Sequence, residues 1–281
     1  MMNACIESRV PASDYFARPA LNISRLKELR RSALHYRYAV DHPKVSAAMT
    51  LGTAAHCATL EPERFERDFV TWDRRTESGR VAPRTGKAWD AFVAEAAGRT
   101  VLTADEVATA RAIAAAVRSD AVAGKYLESG EPEVTIEWET NGRACKGRAD
   151  WITHLDGDPA LVGLKTARDC RHFAFGSIAA RLGYHLQWAF YFDGFEAATG
   201  KAPRMVEIVV ESVPPHAVVV YVVPEDVIAQ GRDEYLQLME RLAVCEREDY
   251  WPGPAETEQI ISLPSWVYGT DEDVSELGLE E

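Results

Sequence analysis

The sequence predicts an α/β protein of the α+β kind, helical in its N-terminal part and built on a sheet thereafter. Three observations predict it. Apolar residues recur at helical spacing through much of the chain before residue 128, the period changes to two after Pro132, and no glycine-rich phosphate loop interrupts either part. The later elements then run as three strands, a helix, two strands and a helix, which is not the strict alternation of a doubly wound dinucleotide fold.

Residues 22–39 (NISRLKELRRSALHYRYA) read as the first helix, with Asn22 or Ser24 available as N-cap and Ile23, Leu26, Leu29 and Leu34 near helical spacing. A second helix is expected over about 46–60, closed by Pro62, and a third over 86–97. Thr103 and Glu106 form a Thr-x-x-Glu capping box ahead of an alanine-rich helix to about Val117. After Pro132, Val134, Ile136 and Trp138 alternate with Glu133, Thr135, Glu137 and Glu139, and Asn141-Gly142 supplies a tight hairpin turn. A second strand, about 143–153, turns at Asp156-Gly157-Asp158 into a third, 160–166, to give three antiparallel strands. A helix over about 183–199, strands at 205–212 and 217–223, and a helix from Pro224 to about Glu248 complete the order.

Composition narrows the function classes. With 281 residues, 47% of them apolar, the chain is long enough for one large domain. The expected division is one domain over 1–268, with a helical part at about 20–128 and a core sheet at about 131–250, followed by an acidic tail at 269–281. Five cysteines (Cys5, Cys57, Cys145, Cys170 and Cys245) stand singly with no Cys-x-x-Cys pair, which argues against a disulfide framework or a cysteine-ligated cluster. The first twenty residues lack an apolar core segment and no run approaches a membrane span, so a cytoplasmic protein without membrane association is expected. A net charge of −13 opposes simple nucleic-acid binding, yet six of the acids fall in the last twelve residues. Basic residues gather elsewhere: Arg25, Lys27, Arg30, Arg31, Arg37 and Lys44 in one early segment, and Arg74, Arg75, Arg80, Arg84 and Lys87 in a loop containing Gly and Pro. Local charge governs the field at short range, so an acidic protein can carry a basic DNA-facing surface.

The residues that carry chemistry lie on the second and third strands. Lys146, Arg148 and Asp150 alternate on one, Gly163 and Lys165 on the other, and pairing through the short turn brings Asp150 and Lys165 together. His56 comes from the second helix, among the small residues Gly52, Thr53, Ala54 and Ala55, and Tyr184, Gln187 and Tyr191 form one stripe on a later helix. Phosphodiester cleavage by metal-activated water needs hard ligands for Mg2+, a cation that holds the nucleophile and a surface that orients the backbone. Asp150 and His56 could ligate metal, Lys165 could hold water, and Gln187 with the tyrosines could brace the site.

The segments GTAAH (52–56), LEP (60–62), RRT (74–76), GKAW (86–89), KGRAD (146–150), LKT (164–166) and YHLQWAFY (184–191) resemble the prophage exodeoxyribonuclease VIII family of the PD-(D/E)xK nuclease superfamily, over about residues 20–267. The resemblance implies a restriction-endonuclease-like core, a central mixed sheet flanked by helices. It also implies Mg2+-dependent 5′ to 3′ digestion of linear double-stranded DNA, with Mn2+ as a substitute metal, a homo-oligomeric ring, and a single-strand-annealing recombinase as partner. Carried over by position, His56, Asp150 and the Leu164 backbone carbonyl correspond to metal ligands, Lys165 to the catalytic lysine, and Gln187 and Tyr191 to the supporting helix motif. Arg74, Arg75, Arg80, Arg84, Lys87, Lys146, Arg148, Thr166 and Tyr184 are the expected DNA contacts.

Position 163 departs from the pattern, which calls for Asp where this chain has Gly. Three readings follow: an inactivated enzyme, a non-catalytic relative that still binds DNA ends, or an acid elsewhere that has taken over the role. Glu133 and Glu137 are the candidates on the first strand, and Asp169 is a weaker one beyond the third. Under the first reading, Gly163→Asp installs the missing ligand without a large backbone change.

Overall fold

The computed structural model describes residues 4–42 and 47–263. The acidic segment 269–281 and Lys44 therefore lie outside the described residues. The N-terminal part runs β1 (Cys5–Glu7), α1 (Ala12–Ala17), α2 (Ile23–Leu26), a 3-10 turn (Lys27–Arg30), α3 (Ala33–Asp41), α4 (Ala47–Leu60), α5 (Pro62–Asp68), β2 (Phe69–Trp72), α6 (Lys87–Ala96), β3 (Thr100–Thr103), α7 (Ala104–Ser119) and α8 (Ala123–Leu127). The rest runs β4 (Glu131–Thr140), β5 (Arg143–Leu155), β6 (Asp158–Ala167), α9 (His172–Leu182), α10 (Tyr184–Thr199), β7 (Arg204–Glu211), β8 (Val218–Val222) and α11 (Glu225–Glu248).

Local chemistry explains most of these bounds. Thr103 and Glu106 close a reciprocal capping box on α7, and Asn141 and Gly142 both take positive φ in the β4–β5 turn, as a type I′ hairpin requires. The first helix is broken, against expectation. Asn22 caps α2, and Ser32, in extended backbone, caps α3 by accepting from the His35 amide, so the chain restarts the helix at its second polar cap. Helix α4 ends at Leu60 as expected, and Pro62 also opens α5, where its missing N–H costs nothing. Helix α9, strand β1 and the parallel β2–β3 pair are additions to the sequence reading.

The main sheet has the order β1-β4-β5-β6-β7-β8 and is mixed: β6 and β7 are parallel, and the other neighbours antiparallel. The parallel pair requires a crossover, which α9 and α10 supply. One core gathers Trp138, Phe190, Leu186 and Tyr235 between the sheet, α10 and α11, while another gathers Ile113, Val117, Val162 and Ile208 between the sheet, α4 and α7. Among the described residues no helix is long and apolar enough to cross a membrane.

Candidate active site

One row of the sheet places four positions side by side. In β4–β5, Glu133 stands opposite Asp150, between the pairs Pro132↔Trp151 and Val134↔Ala149. In β5–β6, Asp150 falls opposite Gly163, one step past the last ladder pair Trp151↔Val162. In β6–β7, Gly163 pairs with Glu207. The ladder is interrupted along this row: Glu133 has φ of 53°, and the Leu164 amide, instead of joining a strand, donates to Asp150 Oδ2 at 2.9 Å. An opened ladder of this kind re-aims side chains, here acids, toward one point.

Lys165 lies between two of those acids, with Nζ 3.4 Å from Asp150 Oδ2 and 3.5 Å from Glu207 Oε1. It also donates to the Leu164 carbonyl at 3.4 Å, and its ammonium lies 5.6 Å from the Tyr184 ring centroid. His56 of α4 bridges the first two acids, Nε2 to Asp150 at 3.3 Å and Nδ1 to Glu133 at 3.4 Å. Burial opposes charge at every one of these groups, and the partners decide the outcome. Burial raises Asp150, but Lys165, His56 and the Leu164 amide outweigh it and hold the carboxyl well below the usual range. Burial lowers Lys165, yet Asp150 and Glu207 lift it above its ordinary value. His56 is raised for the same reason by Asp150 and Glu133, whereas burial dominates at Glu133 and Glu207 and pushes both up.

Asp150, Lys165, Glu207, Gln187, Trp188 and Tyr191 line a cavity of about 20 Å³, enough for one water molecule or one ion. Glu207 Oε1 is buried there with no hydrogen-bond partner. Hard carboxylate oxygens, an imidazole and the Leu164 carbonyl form a donor set that suits Mg2+ or Mn2+. In chemistry the residues present fit a divalent cation, although as placed their ligand atoms do not close on one point; the group of three that does so among the described residues is Cys5, Glu7 and Glu137. Beyond His56 and Glu133 opens a polar groove of about 450 Å³ that reaches Glu61, Arg64, Phe69 and Arg99.

The structure thus brings together His56, Glu133, Asp150, Gly163, Leu164, Lys165, Tyr184, Gln187 and Tyr191. Tyr191 packs so closely on β5 that a Cβ at Gly147 would stand 2.8 Å from its ring. Half-buried Thr166 lies beside α4, where a Cβ at Gly52 would stand 3.7 Å from its hydroxyl.

Four expectations need correction. Lys146 is buried, and its Nζ donates to the Tyr15 and Arg18 carbonyls at 2.6 Å each, so it offers nothing to DNA. Arg148 donates to the Val10 carbonyl and lies 3.6 Å from Glu133, leaving it 13% exposed and committed to the protein. Glu137 pairs with Arg18 at 2.7 Å and Asp169 with Arg171 at 2.7 Å, so neither acid is free to replace residue 163. An Asp at 163 would meet a side chain and not the backbone, and would require the Glu207 carboxylate to move: a Cβ there would stand 2.6 Å from Glu207 Oε2 and 2.8 Å from its Cδ. Glu207 is the residue of this cluster that sequence reasoning missed.

The basic loop is a small hairpin, with Arg75 bridged to Val81 and Thr76 bonded to Arg80. Arg74, Arg75, Arg80 and Lys87 are exposed there, while Arg84 pairs with Glu106.

Comparison with solved structures gives a fold likeness to a protein from Eubacterium rectale described as a "Putative exonuclease", at TM-score 0.62 and 14% identity, covering 92% of this chain and 96% of that one. Weaker likenesses are SSO0001 (TM-score 0.37, 13% identity, 80% and 81% covered) and a Vibrio cholerae protein (TM-score 0.24, 13% identity, 85% and 58% covered). No curated protein matches. The fold is that of PD-(D/E)xK nucleases, enzymes that typically use divalent metal ions and act on DNA. Over residues 22–264 the sequence matches one family within that class, and the chain belongs to it: the PDDEXK-like domain of unknown function DUF3799.

Proposed function

We propose that this protein is a Mg2+-dependent exodeoxyribonuclease that digests linear double-stranded DNA from its ends, 5′ to 3′, and leaves 3′ single-stranded tails. The observation that carries the reading is the Asp150 carboxylate, held at once by the Leu164 amide, Lys165 Nζ and His56 Nε2. Two separate elements, β6 and α4, supply those groups to a carboxylate of β5, and no packing requirement of a sheet calls for them. The exonuclease name of the Eubacterium rectale neighbour supports the same reading.

Asp150, His56 and the Leu164 carbonyl would hold the metal, with Glu133 next to His56. When bound, a divalent cation supplies positive charge against the developing phosphoryl charge and lowers the pKa of water. Lys165, relieved of its two carboxylates, donates to the attacking water, and Tyr184 and Tyr191 keep the lysine and the β5 backbone in position. Water oxygen bonds to phosphorus and gives up its proton to solvent, the bond from phosphorus to the ester oxygen breaks, and that oxygen takes a proton from solvent. The DNA strand follows the groove past Arg99, since Arg64 is taken up by Glu61 and Asp68. Strand β2 begins at that groove with Phe69 and ends at Trp72, where the exposed arginines of the hairpin begin.

A cytoplasmic setting is read from the singly placed cysteines, whereas strand polarity, a homo-oligomeric ring and a single-strand-annealing recombinase partner rest on the resemblance to exodeoxyribonuclease VIII. So does the assignment of residues 1–268 to one catalytic unit with 269–281 as an appendage. The competing reading, a non-catalytic DNA-end-binding relative, has Gly163 as its supporting observation. Linear and covalently closed duplexes, labelled at either end and incubated with Mg2+ or Mn2+, separate the two. Release of 5′ label from linear DNA alone, absent in Lys165→Ala, is expected; equal cutting of closed circles, or end binding without digestion, sinks the proposal.

A further inference from the structure

We infer that Glu207 of β7 supplies the carboxylate that position 163 of β6 lacks, so that the metal-binding set is complete and Gly163 is the change that makes room for it. The inference rests on the nuclease reading above and names one more ligand for the same site.

Register carries the first part of the argument. Gly163 and Glu207 are partners in a parallel ladder, so their side chains leave the same face of the sheet from adjacent strands. Those strands are about 4.8 Å apart, a distance that the longer stem of Glu spans in part where Asp would not. The Glu207 carboxylate in fact occupies the space a residue-163 side chain would need, within 2.6 Å and 2.8 Å of its Cβ position for Oε2 and Cδ. A glycine at 163 and a glutamate at 207 are therefore coupled: any side chain at the first displaces the carboxylate of the second.

Burial carries the second part. Glu207 is 1% exposed within the apolar run Met205-Val206-Glu207-Ile208-Val209-Val210. A carboxylate in such a strand is costly unless it is paired or coordinates a metal. Its Oε2 accepts from Trp188 Nε1 at 2.5 Å, which fixes the group, while Oε1 has no hydrogen bond and points at Lys165. That oxygen, ion-paired with Lys165 but not hydrogen-bonded, borders the 20 Å³ cavity it shares with Asp150. The other nearby acids are placed differently: Glu133 meets His56 on the far side of Asp150, and Glu137 and Asp169 are held by arginines.

Calorimetric titration of the full chain with MnCl2, alongside thermal melts, tests the assignment in Glu207→Gln, Asp150→Asn, Gly163→Asp and the double variant Gly163→Asp/Glu207→Ala. Glutamine keeps the volume and the Trp188 contact, so Glu207→Gln is expected to melt cooperatively and to bind Mn2+ at least about tenfold more weakly. Gly163→Asp alone is expected to bind weakly as well, because two carboxylates contest one space. The double variant, with the carboxylate returned to β6, is expected to bind within about tenfold of the parent, and it decides the matter should Glu207→Gln not fold. Binding unchanged in Glu207→Gln but lost in Asp150→Asn, or a folded double variant without binding, overturns the role of Glu207 and leaves the nuclease reading intact. No Mn2+ binding by the parent, or binding indifferent to both Glu207→Gln and Asp150→Asn, overturns the role of Glu207 and the nuclease reading together.

Discussion

Lys165 and Arg75 are both cations at the ends of long side chains, and the fold treats them in opposite ways. Lys165 is 18% exposed, with carboxylates at 3.4 and 3.5 Å. Arg75 is exposed on the stem of a hairpin, bridged to Val81, and its guanidinium donates to the Gly79 carbonyl at 3.3 Å. Around Lys165 every charge constrains the next, because none can turn to water without leaving a partner buried. Around Arg75 each charge is solvated and independent. The buried cluster thus has one arrangement and can do chemistry, whereas the hairpin has only a field to offer.

The sharpest break in that comparison is Lys165→Met. The variant keeps the apolar stem but leaves Asp150 and Glu207 facing one another without a cation, and removing one member of a buried ionic group costs about 3 kcal/mol. Nuclease activity should fall at least about a hundredfold, the scale on which a group that stabilises transition-state charge acts. Chemical denaturation measures the first effect and single-turnover digestion the second. Adding Mn2+ should return part of the lost stability, since a divalent ion restores positive charge between the same acids. A variant as stable as the parent would mean that the cluster is looser than its distances.

His56 provides the next test, through pH. Its folded value is raised by Asp150 and Glu133 against the pull of burial. The stability it contributes is therefore fully present below the unfolded value of about 6.5 and is lost as pH rises through the raised folded value. Metal binding requires the neutral imidazole, so it should gain over the same window. Melting temperature followed from about pH 5.5 to 8.5 should fall without metal, and the increment produced by Mn2+ should grow. Removing the imidazole with His56→Gln should flatten both trends; trends that survive the substitution would assign them to another group.

The same contrast explains what could be read from the sequence. Asp150 and Lys165 were legible because each interrupts an apolar, period-two strand, and a charge in that setting requires a reason. Glu207 sends the same signal from within MVEIVV, but its meaning depends on β7 lying parallel to β6 in a register that sequence does not reveal. Lys146 was misread for a related reason: strand alternation places it with Arg148 but cannot show that the Tyr15 and Arg18 carbonyls fold over it. The joint at Gly183 was read, but helix α9 before it was missed, because its N-cap position is Arg171, which makes no side-chain capping bond, so no capping residue marks its start. Most strand and helix bounds were legible, since caps and hairpin turns are local chemistry.

Lys27 stands between the two regions and should show a smaller effect. Burial first, then repulsion from Lys165 and Arg30, lowers it to about 8, and its ammonium lies 5.5 Å from the same Tyr184 ring that meets Lys165. Between about pH 8 and 10.5 the unfolded chain holds the proton that the folded chain has lost, so stability due to this group rises with pH across that window. Replacing Lys27 with Met removes a cost that is full below the folded value. A gain of about 2 to 4 °C in Tm at pH 7, corresponding to roughly 1 kcal/mol in a chain of this size class, should shrink to nothing by about pH 10.5. An unchanged or lower Tm at pH 7 would mean that the ammonium is solvated after all.

The hairpin should yield the smallest change in stability of all. Arg74 lies 5.6 Å from the Trp72 ring and Arg75 bonds a carbonyl of its own turn, but neither has a carboxylate partner whose loss would leave a buried charge. Reversing both, Arg74→Glu with Arg75→Glu, should therefore move the unfolding free energy by no more than about 0.5 kcal/mol, as surface substitutions usually do. DNA binding is where the difference should appear. If each arginine neutralises one phosphate, the slope of log affinity against log salt loses about 0.9 per residue, close to two in total, and affinity for duplex ends falls most at low salt. Fluorescence anisotropy of an end-labelled duplex across a salt series, with Ca2+ in place of a catalytic metal, reads both quantities on the folded protein. A variant with the parental salt slope would assign the hairpin to plain solvated surface. The DNA path would then have to rest on the groove beside His56, where Arg99 is the remaining cation beside the acid-paired Arg64.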